Sequence, residues 1–189
     1  MSEFSREDIL KKYEQSESLK DLDLTGIDLS YENLKGADFS NSNLTEAHLQ
    51  NSNLESTNFS HAKLENVFMF GANLANAKFD NANIKDGNLQ DTNLEKASFR
   101  NTNMFHAKLF GVQAEKANFE NADLTTGRMK RANFKKANFQ DANLSGAHME
   151  RSDFRNANLN NANLSGALLK PAELDGASMD GANTKDLSI

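Results

Sequence analysis

The residues able to do acid–base or metal chemistry are four histidines (His48, His61, His106 and His148) and 27 acidic residues set against 21 basic ones; there is no cysteine. An imidazole beside a carboxylate can move a proton, and several such groups can hold zinc, but both chemistries need the groups to converge in a partly dry concavity. The spacing does not bring them together. The histidines fall singly at outward positions, the carboxylates are dispersed along the whole chain, and no phosphate-binding loop or dinucleotide fingerprint is present. No residue is therefore assigned a catalytic, cofactor-binding or metal-binding role. The chain is expected not to be an enzyme and to need no cofactor.

A second chemistry, non-covalent recognition, is suggested by one concentration of side chains. Phe68, Phe70, Phe105 and Phe110 occur with Lys108, Arg128, Lys130, Arg131 and Arg151. Exposed rings supply apolar anchors, and clustered cations attract an acidic partner surface. These residues meet only if the fold aligns them, and the periodicity of the chain predicts that it does.

From Leu24 to Met179 every fifth residue is large and apolar: 31 of the 32 positions are Leu, Phe, Met or Ile, with Ala114 the exception. Two residues before each, from Ala37 to Ala182, all 30 positions are Ala, Gly, Ser, Thr or Val, so both series point inward. A period of five fits neither a helix, at about 3.6, nor a flat strand, at about 2. It describes a chain that turns a corner every five residues, with one residue of each corner at positive φ. Glycine adopts that conformation freely and asparagine tolerates it. Eight of the ten glycines sit two residues after the large one. Phenylalanine at 39, 59, 79, 99, 119 and 139 sets the coil at 20 residues, which is four corners, a square cross-section and one interior column of rings. About eight coils at inter-strand spacing make a rod roughly 40 Å long. The gap at Ala114 is expected to be filled by Val112, which is larger than the usual Ala. The Asn residues that precede the large series are expected to bond locally to turn backbone.

Units such as Ala37-Asp38-Phe39-Ser40-Asn41 and Ala162-Asn163-Leu164-Ser165-Gly166 resemble those of the pentapeptide-repeat family, and they run from about residue 22 to the end. The resemblance implies an all-β fold, a right-handed quadrilateral β-helix. Residues 1–20 are read as a capping helix and lead-in, and residues 21–189 as the β-helix, a single domain. The capping helix is expected from about Arg6 to Gln15, with Ser5 as N-cap, Asp8 three residues on, and Phe4 and Ile9 as a hydrophobic staple. The resemblance also implies a class of function, since some members of the family bind type II topoisomerases such as DNA gyrase by imitating duplex DNA. Three departures count against that here: the balance of acids and bases, the absence of an interrupting loop, and the absence of a C-terminal dimerising helix. The preferred expectation is a non-enzymatic protein-binding scaffold or structural rod; the alternative is a DNA-mimicking modulator of gyrase.

A 20-residue coil assigns every outward residue to one of four sides, each named here by its first core residue. The Leu24, Leu34 and Phe39 sides carry mostly Asn, Asp, Ser, Thr, Glu and Lys. The Leu29 side has lost nearly all of that Asn and gained aromatics and cations: Phe68, Lys108 and Arg128 before its core residues, Phe70, Phe110 and Lys130 after them, and Arg131 and Arg151 at its corner. It is the expected contact surface, with Phe105 at the adjacent corner. The partner is expected to be a protein, with an acidic face. Self-association through the C-terminal coil or the aromatic patch is the other contact expected. Direct nucleic-acid binding is not expected, because the basic stripe is faint. With no transmembrane stretch and no apolar leader, the chain is read as soluble and cytoplasmic.

Overall fold

The computed structural model describes residues 3–189. Met1 and Ser2, which open the segment read as a lead-in, lie outside the described residues. The corner predicted from the sequence recurs without a slip. Every fifth residue from Ser16 to Asp186 has φ between 54° and 72°, except Pro171. The pyrrolidine ring holds proline near φ −65°, so the left-handed region is closed to Pro171. At most corners the core residue's carbonyl accepts a hydrogen bond from the N–H three residues on, as Leu34 does from Ala37 at 3.0 Å. A turn closed this way, with positive φ at its third residue, is type II, which selects Gly or Asn there.

Between corners each side is too short for a continuous strand and contributes a single parallel bridge to the next coil. The register is always 20 residues, as in Asp28 to His48 to Phe68. The bonds alternate in direction: the Leu24 N–H donates to the Asn43 carbonyl (2.7 Å), and the Asn43 N–H donates back to the Leu22 carbonyl (2.9 Å). The fold is thus the quadrilateral β-helix expected from the sequence.

The core is a stack of columns. The rings of Phe39, Phe59, Phe79, Phe99, Phe119 and Phe139 lie face to face, with centroids 4.7–5.6 Å apart and planes within 12°. Offset face-to-face pairs contribute about 0.5–1.5 kcal/mol each beyond the area they bury. Where Ser or Thr replaces the small inward Ala, its hydroxyl donates to a backbone carbonyl, usually of the preceding coil, as Ser52 does to Leu29 (2.9 Å) and Thr102 to Phe79 (2.7 Å), while Thr92 donates to Leu89 of its own turn (2.7 Å). These buried polar groups therefore carry no unmet desolvation cost. Val112 and Ala114 are both fully buried. Phe134, one coil on in the same column, stands edge-on to Phe119 at 5.8 Å and so reaches into the coil of Ala114.

The N-terminal edge is covered by helix α1, Arg6–Glu14, the only helix among the described residues. Gln15, expected as its last residue, is its C-cap. The capping box is complete: Ser5 Oγ accepts from the Asp8 N–H (3.2 Å), and Asp8 Oδ2 accepts from the Ser5 N–H (2.9 Å). Ile9 is fully buried on the first coil, Phe4, Leu10 and Tyr13 pack beside it, and the Tyr13 hydroxyl donates to the Lys35 carbonyl (2.8 Å). At the other end Leu174, Met179 and Leu187 keep the inward register while only partly buried.

Replacing Phe99, which stacks on both neighbours, with Ala should cost about 3–5 kcal/mol in chemical denaturation. Replacing the outward Asn73 with Ala should cost only about 1 kcal/mol. Equal losses for the two variants would show that the ring column does not dominate stability.

Candidate binding surface

The Leu29 side is best seen against the other three, whose outward Asn residues do two things. In most of them Oδ1 accepts the N–H two residues on, as in Asn43 from Thr45 (3.2 Å), which is the local bond expected from the sequence. In runs of successive Asn, Nδ2 also donates across one coil to the Oδ1 of the Asn 20 residues earlier. On the Leu34 side Asn93 donates to Asn73 (3.1 Å), Asn73 to Asn53 (3.2 Å) and Asn53 to Asn33 (2.9 Å). Similar runs link Asn158, Asn138 and Asn118 on the Phe39 side, and Asn183, Asn163 and Asn143 on the Leu24 side. This inter-coil ladder is a structural use of Asn that sequence reasoning reached only in its local half.

The Leu29 side has no such ladder. Its bridged column runs Asp28, His48, Phe68, Asn88, Lys108, Arg128, His148 and Leu168. Each ladder bond forgone is worth roughly 0.5–1.5 kcal/mol. A substitute contact is the stack of His48 on Phe68, with centroids 4.8 Å apart. Phe68, Phe70 and Phe105 remain 36%, 39% and 38% exposed, whereas every ring of the interior column is fully buried. Phe110 is half-buried, with the Arg131 guanidinium 5.6 Å from its centroid, and Lys85 Nζ lies 5.9 Å from that of Phe105.

The structure brings the predicted residues together in two groups. Lys108, Phe110, Arg128 and Lys130 line one cleft of about 370 Å³ with Gln90. Phe110, Lys130, Arg131 and Arg151 line a second of about 450 Å³ with Glu150, Lys170 and Pro171. Phe68 and Phe70 lie toward the N-terminal end, with Gln90 between Phe70 and Phe110 in their column, and Phe105 contacts His106 rather than the other three rings. Sequence reasoning left Lys170, Gln90 and His48 out of the site, although counting in steps of 20 from Lys130, Phe110 and Phe68 reaches all three. Tyr31, 72% exposed at φ 64°, heads the corner column that holds Arg131 and Arg151.

The pairing of arginines sets this side apart. Arg6, Arg100 and Arg155 each form an ion pair, with Glu32, Glu120 and Asp153. The other three arginines, Arg128, Arg131 and Arg151, form none among the described residues, and neither do Lys108 and Lys170. Lys130 is paired, to Glu150 at 2.7 Å. Burial acts to raise the Glu150 carboxyl, but the hydrogen bond and charge of Lys130 outweigh it and hold the group below its usual range, so Glu150 is an anion at neutral pH. The two side-chain atoms that are buried without a hydrogen bond among the described residues, Gln50 Oε1 and Glu150 Oε2, both lie in the column after this side's core residues.

Eight copies of the pattern described as pentapeptide repeats match this sequence, in overlapping stretches from 18–55 through 147–183. The chain belongs to the pentapeptide-repeat family. Its coil is right-handed, as in that family. HetL, a pentapeptide repeat protein involved in heterocyst differentiation regulation from the cyanobacterium Nostoc sp. strain PCC 7120, is similar over 98% of this chain and 94% of its own, at 24% identity and a TM-score of 0.63. QnrB1, a plasmid-mediated fluoroquinolone resistance protein, is similar over 84% of each chain, at 20% identity and a TM-score of 0.73. At these identities the likeness is one of fold. Among curated proteins none matches the chain by sequence. No helix among the described residues is long and apolar enough to cross a membrane. Within the pentapeptide-repeat frame, the Asn ladders and paired charges are scaffold, and the Leu29 side is the departure from it.

The paired charges can be tested at Asp153. Hydrogen bonds from Arg155 Nε and Nη2 (3.0 and 2.7 Å), with Lys135 Nζ at 3.2 Å, outweigh burial and hold its carboxyl at about 2. Because the folded value is depressed, the pair's contribution to stability is present above 3.8 and is lost as pH falls through about 2. An NMR titration should place the Asp153 midpoint near 2. Arg155→Gln should move it upward, and an unperturbed midpoint in the native chain would contradict the pairing.

Proposed function

We propose that this pentapeptide-repeat protein is a non-enzymatic protein-binding rod that engages its partner through the Leu29 side. The observation that carries this reading is the concentration of three departures from the scaffold on one side. The Asn ladder stops, rings stay exposed in place of polar side chains, and cations stand without counter-charges. Departures from a protein's own local rules concentrate where function demands them, and exposed aromatic clusters mark contact sites. Phe68, Phe70 and Phe110 are the apolar anchors, Phe105 extends them at the neighbouring corner, and Lys108, Arg128, Lys130, Arg131 and Arg151 form the cationic flank. A cytoplasmic setting belongs to the same proposal. So does self-association through this patch or the C-terminal coil, which light scattering at high concentration measures directly.

The alternative, a DNA-mimicking modulator of gyrase, draws only the fold from the likeness to QnrB1. The uninterrupted corner register and the cationic Leu29 side weigh against it. A supercoiling assay in which the protein neither inhibits gyrase nor protects it from quinolones removes that reading.

The surface itself is tested with two double variants, Phe68→Ser with Phe70→Ser and Phe105→Ser with Phe110→Ser. Melting temperatures should shift by only a few degrees, since surface substitutions change stability by about 0.5 kcal/mol. Partners captured by the wild type, re-measured as purified proteins, should bind at least about tenfold more weakly to the variants. A large drop in melting temperature with unchanged binding would make the rings packing elements and overturn the proposal.

A further inference from the structure

We propose that the corner of the Leu29 side around Phe110, Lys130, Arg131 and Arg151 binds a short acidic peptide segment of the partner, laid along the rod axis. The segment sets an apolar side chain on Phe110 and carboxylates on the cations either side of it. The inference rests on the reading of the Leu29 side as the contact surface and names what that surface recognises.

The first observation is shape. The two clefts share Phe110 and Lys130, so that pair forms a ridge with a depression on each side. Together the depressions are lined by six cations and a single carboxylate, Glu150, which Lys130 already engages.

The second is uncompensated like charge. Lys108 and Arg128 are bridged partners on adjacent coils. Arg131 and Arg151 stand one coil apart at the same corner, with φ of 58° and 63°. Like charges directly opposite one another on adjacent strands repel. The chain shows how it handles this elsewhere: Lys96, Lys116 and Lys136 stack at another corner, and each lies within ion-pair distance of Glu95 or Glu115. Among the described residues no carboxylate pairs with Arg131 or Arg151. Two arginines stacked one coil apart without local compensation are set for an anion from outside.

The third is extent. From Lys108 to Leu168 the column crosses three coil spacings, roughly 14 Å, or about four residues of extended peptide. A longer polyanion running past the patch would meet the field of a chain whose net charge is −6. An acidic segment that ends where the patch ends does not, and Phe110 offers it an apolar contact that a phosphate backbone cannot use. A peptide therefore fits better than nucleic acid.

The test is fluorescence anisotropy with the full chain and a short fluorescein-labelled peptide of Asp and Glu around a central Leu. Controls are the same peptide with Asn and Gln in place of the acids, and a single-stranded oligonucleotide of matched charge. The acidic peptide should bind, and its affinity should fall as salt rises. Arg131→Glu with Arg151→Glu should weaken binding about tenfold or more. Lys63→Glu with Lys78→Glu, the same change of charge at exposed lysines on other sides, should leave it within about twofold. Equal binding of the Asn/Gln peptide, indifference to the arginine pair, or tighter binding of the oligonucleotide would each overturn the inference. If the arginine variant keeps a partner that the Phe68/Phe70 variant loses, the acidic-segment inference fails while the contact surface stands.

Discussion

The structure depends on one backbone constraint, a type II corner with positive φ at every fifth residue. Each corner costs a non-glycine residue left-handed strain, which is why Gly, Asn and Asp are so frequent there. Four corners return the chain to its starting direction after 20 residues, and the parallel bridges then lock each residue above the one 20 before it. A local conformational rule is thereby converted into long-range order. Every side chain joins a column, and its neighbours above and below are decided by arithmetic.

Columns make residue choices cumulative. Phe99 is stabilised by both Phe79 and Phe119, and Asn73 both receives a bond from Asn93 and gives one to Asn53. The same logic makes departures expensive. A Phe or Lys in place of Asn removes ladder bonds to both neighbouring coils, and two stacked cations repel unless a carboxylate is interleaved. The Leu29 side accumulates these departures over several consecutive coils, whereas the corner of Lys96, Lys116 and Lys136 is neutralised by Glu95 and Glu115. The contrast separates a charge ladder that holds the rod together from one that faces outward without compensation.

A filled rod of this kind presents side chains on a rigid, evenly spaced lattice. Binding to such a surface costs little backbone entropy, because the backbone is ordered before any partner arrives. The open valleys beside Phe110 and Lys130 suit side-chain recognition of an exposed segment rather than enclosure of a small molecule.

Much of this was legible in the sequence, because the interactions that define the fold recur at constant spacing. The five-residue period set the corners, the Phe series set the 20-residue coil, and Ser5 with Asp8 set the cap of α1. The same count placed Phe68, Phe110, Arg131 and Arg151 on one side. The tertiary structure alone decided matters of side-chain direction within a column. It showed that Asn residues bond across coils as well as locally, and that Phe134 reaches into the coil of Ala114. It showed also that Phe105 turns toward His106 while Arg131 lies over Phe110, and that Lys170 completes the basic cleft. The physical reason is that periodicity fixes where each Cβ sits, whereas rotamers and ion pairs are chosen by competition among several neighbours at once. Arg155 and Arg151 have similar sequence surroundings; only the folded structure puts Asp153 within reach of the first and leaves the second unpaired.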